Sequence, residues 1–92
     1  MRVRIASEGG NLPYARRKLS ELIEVAPDSA EAHEAYSGVL YLSGKYIQAA
    51  GELDLVDRLR GDSATLGRTS YHRGLIAEAQ GRFDQALSLI HI

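Results

Sequence analysis

A recurrence constrains this chain more than any other feature. Gly10, Gly44 and Gly81 are each followed two residues later by a large side chain, Leu12, Tyr46 or Phe83. Three residues further stands an alanine, Ala15, Ala49 or Ala86, and four beyond that an aliphatic, Leu19, Leu53 or Ile90. Five residues before each glycine comes Ile5, Val39 or Ile76, followed by Ala6, Leu40 or Ala77. The glycines are 34 and 37 residues apart; Leu22 with Val56, and Pro27 with Gly61, keep the first of these steps. A period of this size marks a stacked repeat, in which each small unit buries its apolar face only against a neighbour.

The local chemistry within a period reads as helix, turn, helix. Tyr46, Ala49, Leu53 and Val56 fall at i, i+3, i+7 and i+10, one stripe of an amphipathic helix. The glycine ends the preceding helix by taking backbone angles that cost other residues more. The alanine lets two helix backbones approach, and the large residue fills the space beside it. Pro13 suits a first helical turn, Asp28 or Ser29 a cap, and Asp62 or Ser63 the next cap. These signals predict six helices, near 1–8, 13–25, 29–43, 46–59, 64–80 and 83–91, with negligible strand signal. Gly74 falls inside a helix, where glycine costs about 1 kcal/mol relative to alanine. It therefore predicts a close contact.

The pattern resembles the tetratricopeptide repeat, a helix–turn–helix unit of 34 residues. Its marks are a turn glycine, an aromatic soon after, Ala-x-x-x-large in the second helix and a closing proline. Gly44-Lys-Tyr46-Ile-Gln-Ala49-Ala-Gly-Glu-Leu53 and Gly81-Arg-Phe83-Asp-Gln-Ala86-Leu-Ser-Leu-Ile90 carry it, and Ala26-Pro27-Asp28 closes the first unit. Three departures stand out. Gly61 replaces the second closing proline, three extra residues lie near Gly61–Gly67, and Arg73 takes a place usually held by a large aliphatic. The resemblance implies an all-α fold, a right-handed superhelix of stacked antiparallel helix pairs. It divides a single domain, 1–92, into a truncated repeat near 1–29, a full one near 30–63 and a truncated one near 64–92, two and a half to three repeats in all.

The resemblance also implies a function. First helices line a concave groove that takes a peptide or partner helix. It points Glu31, Glu34, Gly38, Tyr41 and Leu42 of the middle unit into that groove, with Arg68, Tyr71, His72 and Leu75 of the last. Tyrosine and arginine suit such a role because they join contact area to directed hydrogen bonds. Glu31 and Glu34 beside Arg68 make a mixed groove, suited to a ligand with some positive charge. Some co-chaperones of the family grip a terminal carboxylate with lysine, asparagine and arginine. Here Arg4 stands at the first unit's asparagine place, Ala35 at the middle one and His72 at the arginine place. Arg68 alone matches, which argues against that clamp.

Composition narrows the alternatives. Eleven basic and twelve acidic residues leave a net charge of −1, weak attraction for nucleic acid or an anionic membrane, although helical repeats that bind RNA have a similar length. The absence of cysteine removes disulfides and thiolate metal sites. His33, His72 and His91 do not share a ligand spacing, so no metal or other cofactor is expected, and His33 is read as filling the packed face. The serines lack a nucleophile elbow, and Gly38 to Gly44 lacks phosphate-loop spacing, so no catalytic residue is assigned and the chain is read as a non-enzyme. Arg16, Arg17 and Lys18 read as a solvated helix face paired to Glu21. No signal peptide or membrane span is seen, which favours a cytoplasmic setting. The apolar tail Leu87–Ile92 predicts self-association through Leu89, Ile90 and Ile92, as a homo-oligomer or within a longer array.

Overall fold

The computed structural model describes residues 11–90, and side chains as far as Gln85. Four helices follow in order: α1 (Leu12–Val25), α2 (Ala30–Leu42), α3 (Tyr46–Leu59) and α4 (Ser63–Ile90). No strand occurs among the described residues. Each helix packs on its sequence neighbour, α1 on α2, α2 on α3 and α3 on α4. The predicted helix near 1–8 lies outside the described residues.

Local chemistry accounts for the boundaries. Pro13 sits in the first turn of α1, where its missing N–H is not needed. Ser29 caps α2 by accepting the Ala32 N–H at 3.2 Å, and Glu31 in that first turn complements the helix dipole. Asp62 caps α4, its Oδ1 accepting the Thr65 N–H at 2.7 Å. The turn between α2 and α3 is a left-handed glycine cap. Gly44 has φ 78°, the Lys45 N–H reaches the Leu40 carbonyl at 2.8 Å, and the Gly44 N–H reaches Tyr41 at 3.1 Å. Gly61, in place of a closing proline, has its own reason: a side chain there would meet the Asp57 carbonyl at 3.2 Å.

The reversal at Gly44 folds α3 back on α2 and creates the core. Leu40, Ala49, Leu53 and Ile76 form one buried cluster, with Tyr36, Tyr41 and Tyr46 against it. Ala49 and Leu53 are fully buried, as the stripe predicts, and so is Val56. Removing a leucine side chain from water contributes roughly 1.5–3 kcal/mol, so Leu40 and Leu53 account for much of this small core. The alanine's role is visible in one bond. Ser37 Oγ donates to the Ala49 carbonyl at 3.0 Å, a side-chain-to-backbone bond that requires α2 and α3 to lie close.

The last hairpin differs from expectation. The spacing predicts helices near 64–80 and 83–91; α4 instead runs through Gly81 without a break. Gly44 alone among the described residues has positive φ, so Gly81 does not make the same turn. After Gly44 the chain delivers Ala49, Leu53 and Val56 to a dry interface. Phe83, the counterpart of Tyr46, is 56% exposed. Extending α4 through Gly81 requires no new helix nucleus. Gly74 departs from expectation too. A side chain added there meets nothing within 4 Å among the described residues, so no close contact among them explains the glycine.

Arg73 shows why an aliphatic place can hold a charge. Its guanidinium donates to Asp54 at 2.8 Å and Asp57 at 2.7 Å on α3. Thr69 Oγ1 donates to the other Asp57 oxygen at 2.7 Å, and Thr65 and Thr69 are buried in the same interface. The Thr69 hydroxyl first, then Arg73, hold the Asp57 carboxyl below its ordinary range despite its desolvation. The α3–α4 joint thus carries a polar network beside the shared apolar cluster.

Two substitutions check this account by urea unfolding. Gly44→Ala forces a left-handed angle on a residue with Cβ and lowers stability by about 1–2 kcal/mol. Gly74→Ala, in open helical space, raises it by about 0.5–1 kcal/mol. A loss at Gly74 would mean that a neighbour from outside the described residues packs there.

Candidate functional site

Helices α2 and α4 flank a cleft on one side of the core. On α2, Glu34, Ser37, Gly38 and Tyr41 follow helical spacing, so they share a face. On α4, His72, Leu75 and Ile76 do the same. These seven residues line a cleft of about 50 Å³. Ser37 and Ile76 are buried and form its floor, while Glu34, Tyr41, His72 and Leu75 are half-buried around it. Tyr41 is braced by Tyr46, with ring centroids 6.0 Å apart and planes tilted by 57°.

Charge at the cleft is paired within the chain. Arg68 Nε and Nη2 donate to the two Glu34 oxygens at 2.9 and 3.2 Å, a two-pronged bond joining α2 to α4. That bond is the main cause of a Glu34 pKa below its ordinary 4.5; burial opposes it, and the charges of Arg68, His72 and Arg60 reinforce it. Nearer the helix starts, Arg60 donates to Glu31 at 2.8 Å. The hydrogen bond from Arg60 likewise holds the Glu31 carboxyl low. Both acidic groups expected to meet a positively charged ligand are therefore already engaged by arginines of their own chain.

The expected groove residues separate into two sets. Glu34, Gly38, Tyr41, His72 and Leu75 come together around the cleft. Glu31 and Arg68 stand beside it in ion pairs, Tyr71 is 66% exposed with its ring 5.7 Å from that of His72, and Leu42 is exposed at the end of α2. Ser37 and Ile76 join the lining without being among the expected residues. The i, i+3, i+7 relation of Glu34, Ser37 and Tyr41 carries the signal for the first. The side chains of Leu89 and Ile90, and all of Ile92, lie outside the described residues. Among the described residues no cluster of three or more His, Asp or Glu could hold a metal, and no helix is long and apolar enough to cross a membrane. On α1, Lys18 pairs with Glu21 at 3.6 Å, while Arg17 and Lys18 each lie 5.6 Å from the Tyr14 ring centre.

The hairpin order, the glycine turn and the repeated register together define a tetratricopeptide-like helical repeat, and the chain belongs to that family. Its similarity to a curated protein bears this out. The chain is 34% identical over 86 residues to tetratricopeptide repeat protein 36 of Bos taurus, a match covering 89% of this chain. The chain spans less than half the length of that relative, 44%. No family model matches the chain, and no solved structure matches it.

The Glu34–Arg68 bond predicts a pH effect. A carboxyl with a lowered folded pKa adds stability above its unfolded value, and this is lost as pH falls below about 4.5 through the folded value. Arg68 is about half exposed, so solvent screening keeps the pair's contribution small. Glu34→Gln should remove that share at pH 7 and flatten the acid limb of the stability curve. An unchanged acid limb would show that the pair adds nothing.

Proposed function

We propose that this chain is a protein-interaction scaffold that binds a peptide or partner helix along the α2–α4 groove and carries out no catalysis. The observation that carries this reading is the convergence of Glu34, Tyr41, His72 and Leu75 from two helices on one cleft. The cleft joins apolar surface at Ile76 and Leu75 to a few polar groups, the usual make-up of a recognition site. Tyr71 and Leu42 extend contact area beyond it, both exposed. Family membership supports an interaction module.

The groove's charge state shapes what fits. Glu34 and Arg68 satisfy one another, so a ligand gains little by offering a lone charge to either. Recognition then rests on apolar and aromatic contact, with hydrogen bonds at Tyr41 and His72. A cleft of about 50 Å³ has room for one small side chain rather than a large ring, so an extended segment with a small apolar residue suits it best.

Peptide-array or cross-linking capture with purified chain tests the proposal. Tyr41→Ala and Tyr71→Ala should each weaken a captured partner by about 1–2 kcal/mol, roughly five- to thirtyfold in Kd, with helicity unchanged in the exposed Tyr71→Ala, since Tyr41 also packs on the core. Unchanged capture by both variants would place the binding surface elsewhere.

A further inference from the structure

His33 is the one buried histidine among the described residues, only 4% exposed, and the groove does not use it. It lies one turn into α2 and faces away from the cleft, between the α1–α2 joint and α3. Nδ1 stands 2.5 Å from Glu52 Oε1 on α3. Nε2 stands 2.9 Å from the carbonyl of Pro27, in the joint. A carbonyl accepts and never donates, and an ionised carboxylate does the same. Each ring nitrogen therefore has to carry a proton, which makes the side chain an imidazolium.

We propose that His33 is a proton-gated latch on α1. Doubly protonated, it ties the α1–α2 joint to α3; singly protonated, it can serve only one of its two acceptors and the joint is let go. The choice between acceptors is set by charge. The remaining N–H stays with the Glu52 carboxylate, because bonds to ionised groups are about twice as strong as neutral ones. Nε2 then turns a lone pair toward the Pro27 oxygen, and acceptor faces acceptor.

The helix preceding Pro27 is the one least able to absorb that loss. No residue of α1 is buried, and Val25 at its end is 83% exposed. α1 packs on α2, and its Leu12, Ala15, Leu19 and Ile23 are no more than half-buried. By contrast α3 is held by the core cluster and by the Arg73 bridges. Opening is therefore local to α1 and its joint, in keeping with the uneven stability of folded chains.

The direction with pH is set by the groups around the ring. Burial disfavours the charged ring, but the Glu52 hydrogen bond, the Pro27 carbonyl and the charges of Glu52 and Asp28 outweigh it and raise the pKa above the ordinary 6.5. Glu52 faces His33 from α3 and Asp28 from the joint. A raised histidine adds stability that is complete below 6.5 and is lost as pH rises through the folded value. The latch is closed in mildly acidic and neutral solution and opens on the alkaline side.

Two measurements on the full chain decide the matter. Ring 15N resonances of His33 should show protons on both nitrogens at pH 6.5. Hydrogen exchange, corrected for its intrinsic pH dependence, should show α1 protection falling as pH rises through the His33 titration while α3 holds. Glu52→Gln should move the His33 titration and α1 opening together to lower pH. A neutral His33 ring at pH 6.5 would overturn the latch. So would α1 protection that ignores the titration, or equal loss in α1 and α3. If Glu52→Gln does not fold, the titration of the unaltered chain still decides.

Discussion

Leu40, Ala49, Leu53 and Ile76 come from three helices and meet in one small dry cluster, and the rest of the structure depends on that meeting. Leu40 belongs to α2, Ala49 and Leu53 to α3, and Ile76 to α4. Two of these helices reach the cluster because Gly44 reverses the chain within a single turn. The third reaches it through a three-residue connection ended by the Asp62 cap. Few side chains in this small core are fully dry, so each carries a large share of its stability.

The cluster brings the helices together, and polar contacts fix how they sit. Between α2 and α3 the contact is apolar apart from the Ser37–Ala49 bond and the His33–Glu52 pair. Between α3 and α4 it is Thr65, Thr69 and Arg73 against Asp54 and Asp57. Apolar contacts tolerate some sliding; hydrogen-bonded ones have preferred directions. The second set aligns α4 so that His72 and Leu75 face Glu34 and Tyr41 across the cleft. The Glu34–Arg68 bond then spans the same two helices at the rim. The floor of the cleft is set by packing, and its edges by charge.

Much of the fold is legible in the sequence because the relevant physics is local. A glycine at a helix end, a serine or aspartate at a helix start and an apolar stripe at i, i+3, i+7 depend on near neighbours. Gly44, Ser29, Asp62 and the Ala49–Leu53–Val56 stripe accordingly stand where expected. Gly81 carries the same local signal as Gly44, yet the chain does not turn there. A turn requires a partner surface for the next helix, and residue spacing cannot show that surface. The site is legible in part for the same reason. Helical register brings Glu34, Tyr41, His72 and Leu75 together. The bond between Glu34 and Arg68, and the two aspartates that Arg73 finds on α3, are contacts between distant segments. His33 reads from the sequence as a packed residue, which it is, but its ion pair with Glu52 depends on the approach of α3.

The most direct test of this account is a set of methyl contacts in solution. Nuclear Overhauser spectra of the chain should link the Ile76 methyls of α4 to the Leu40–Ala49–Leu53 cluster of α2 and α3. Such cross-peaks establish that three successive helices share one core and that α2 and α4 stand side by side across it. Ile76 methyls with contacts only inside α4, beside an intact Leu40–Leu53 pairing, would contradict it, because α4 would then be free of the hairpin and no groove would exist.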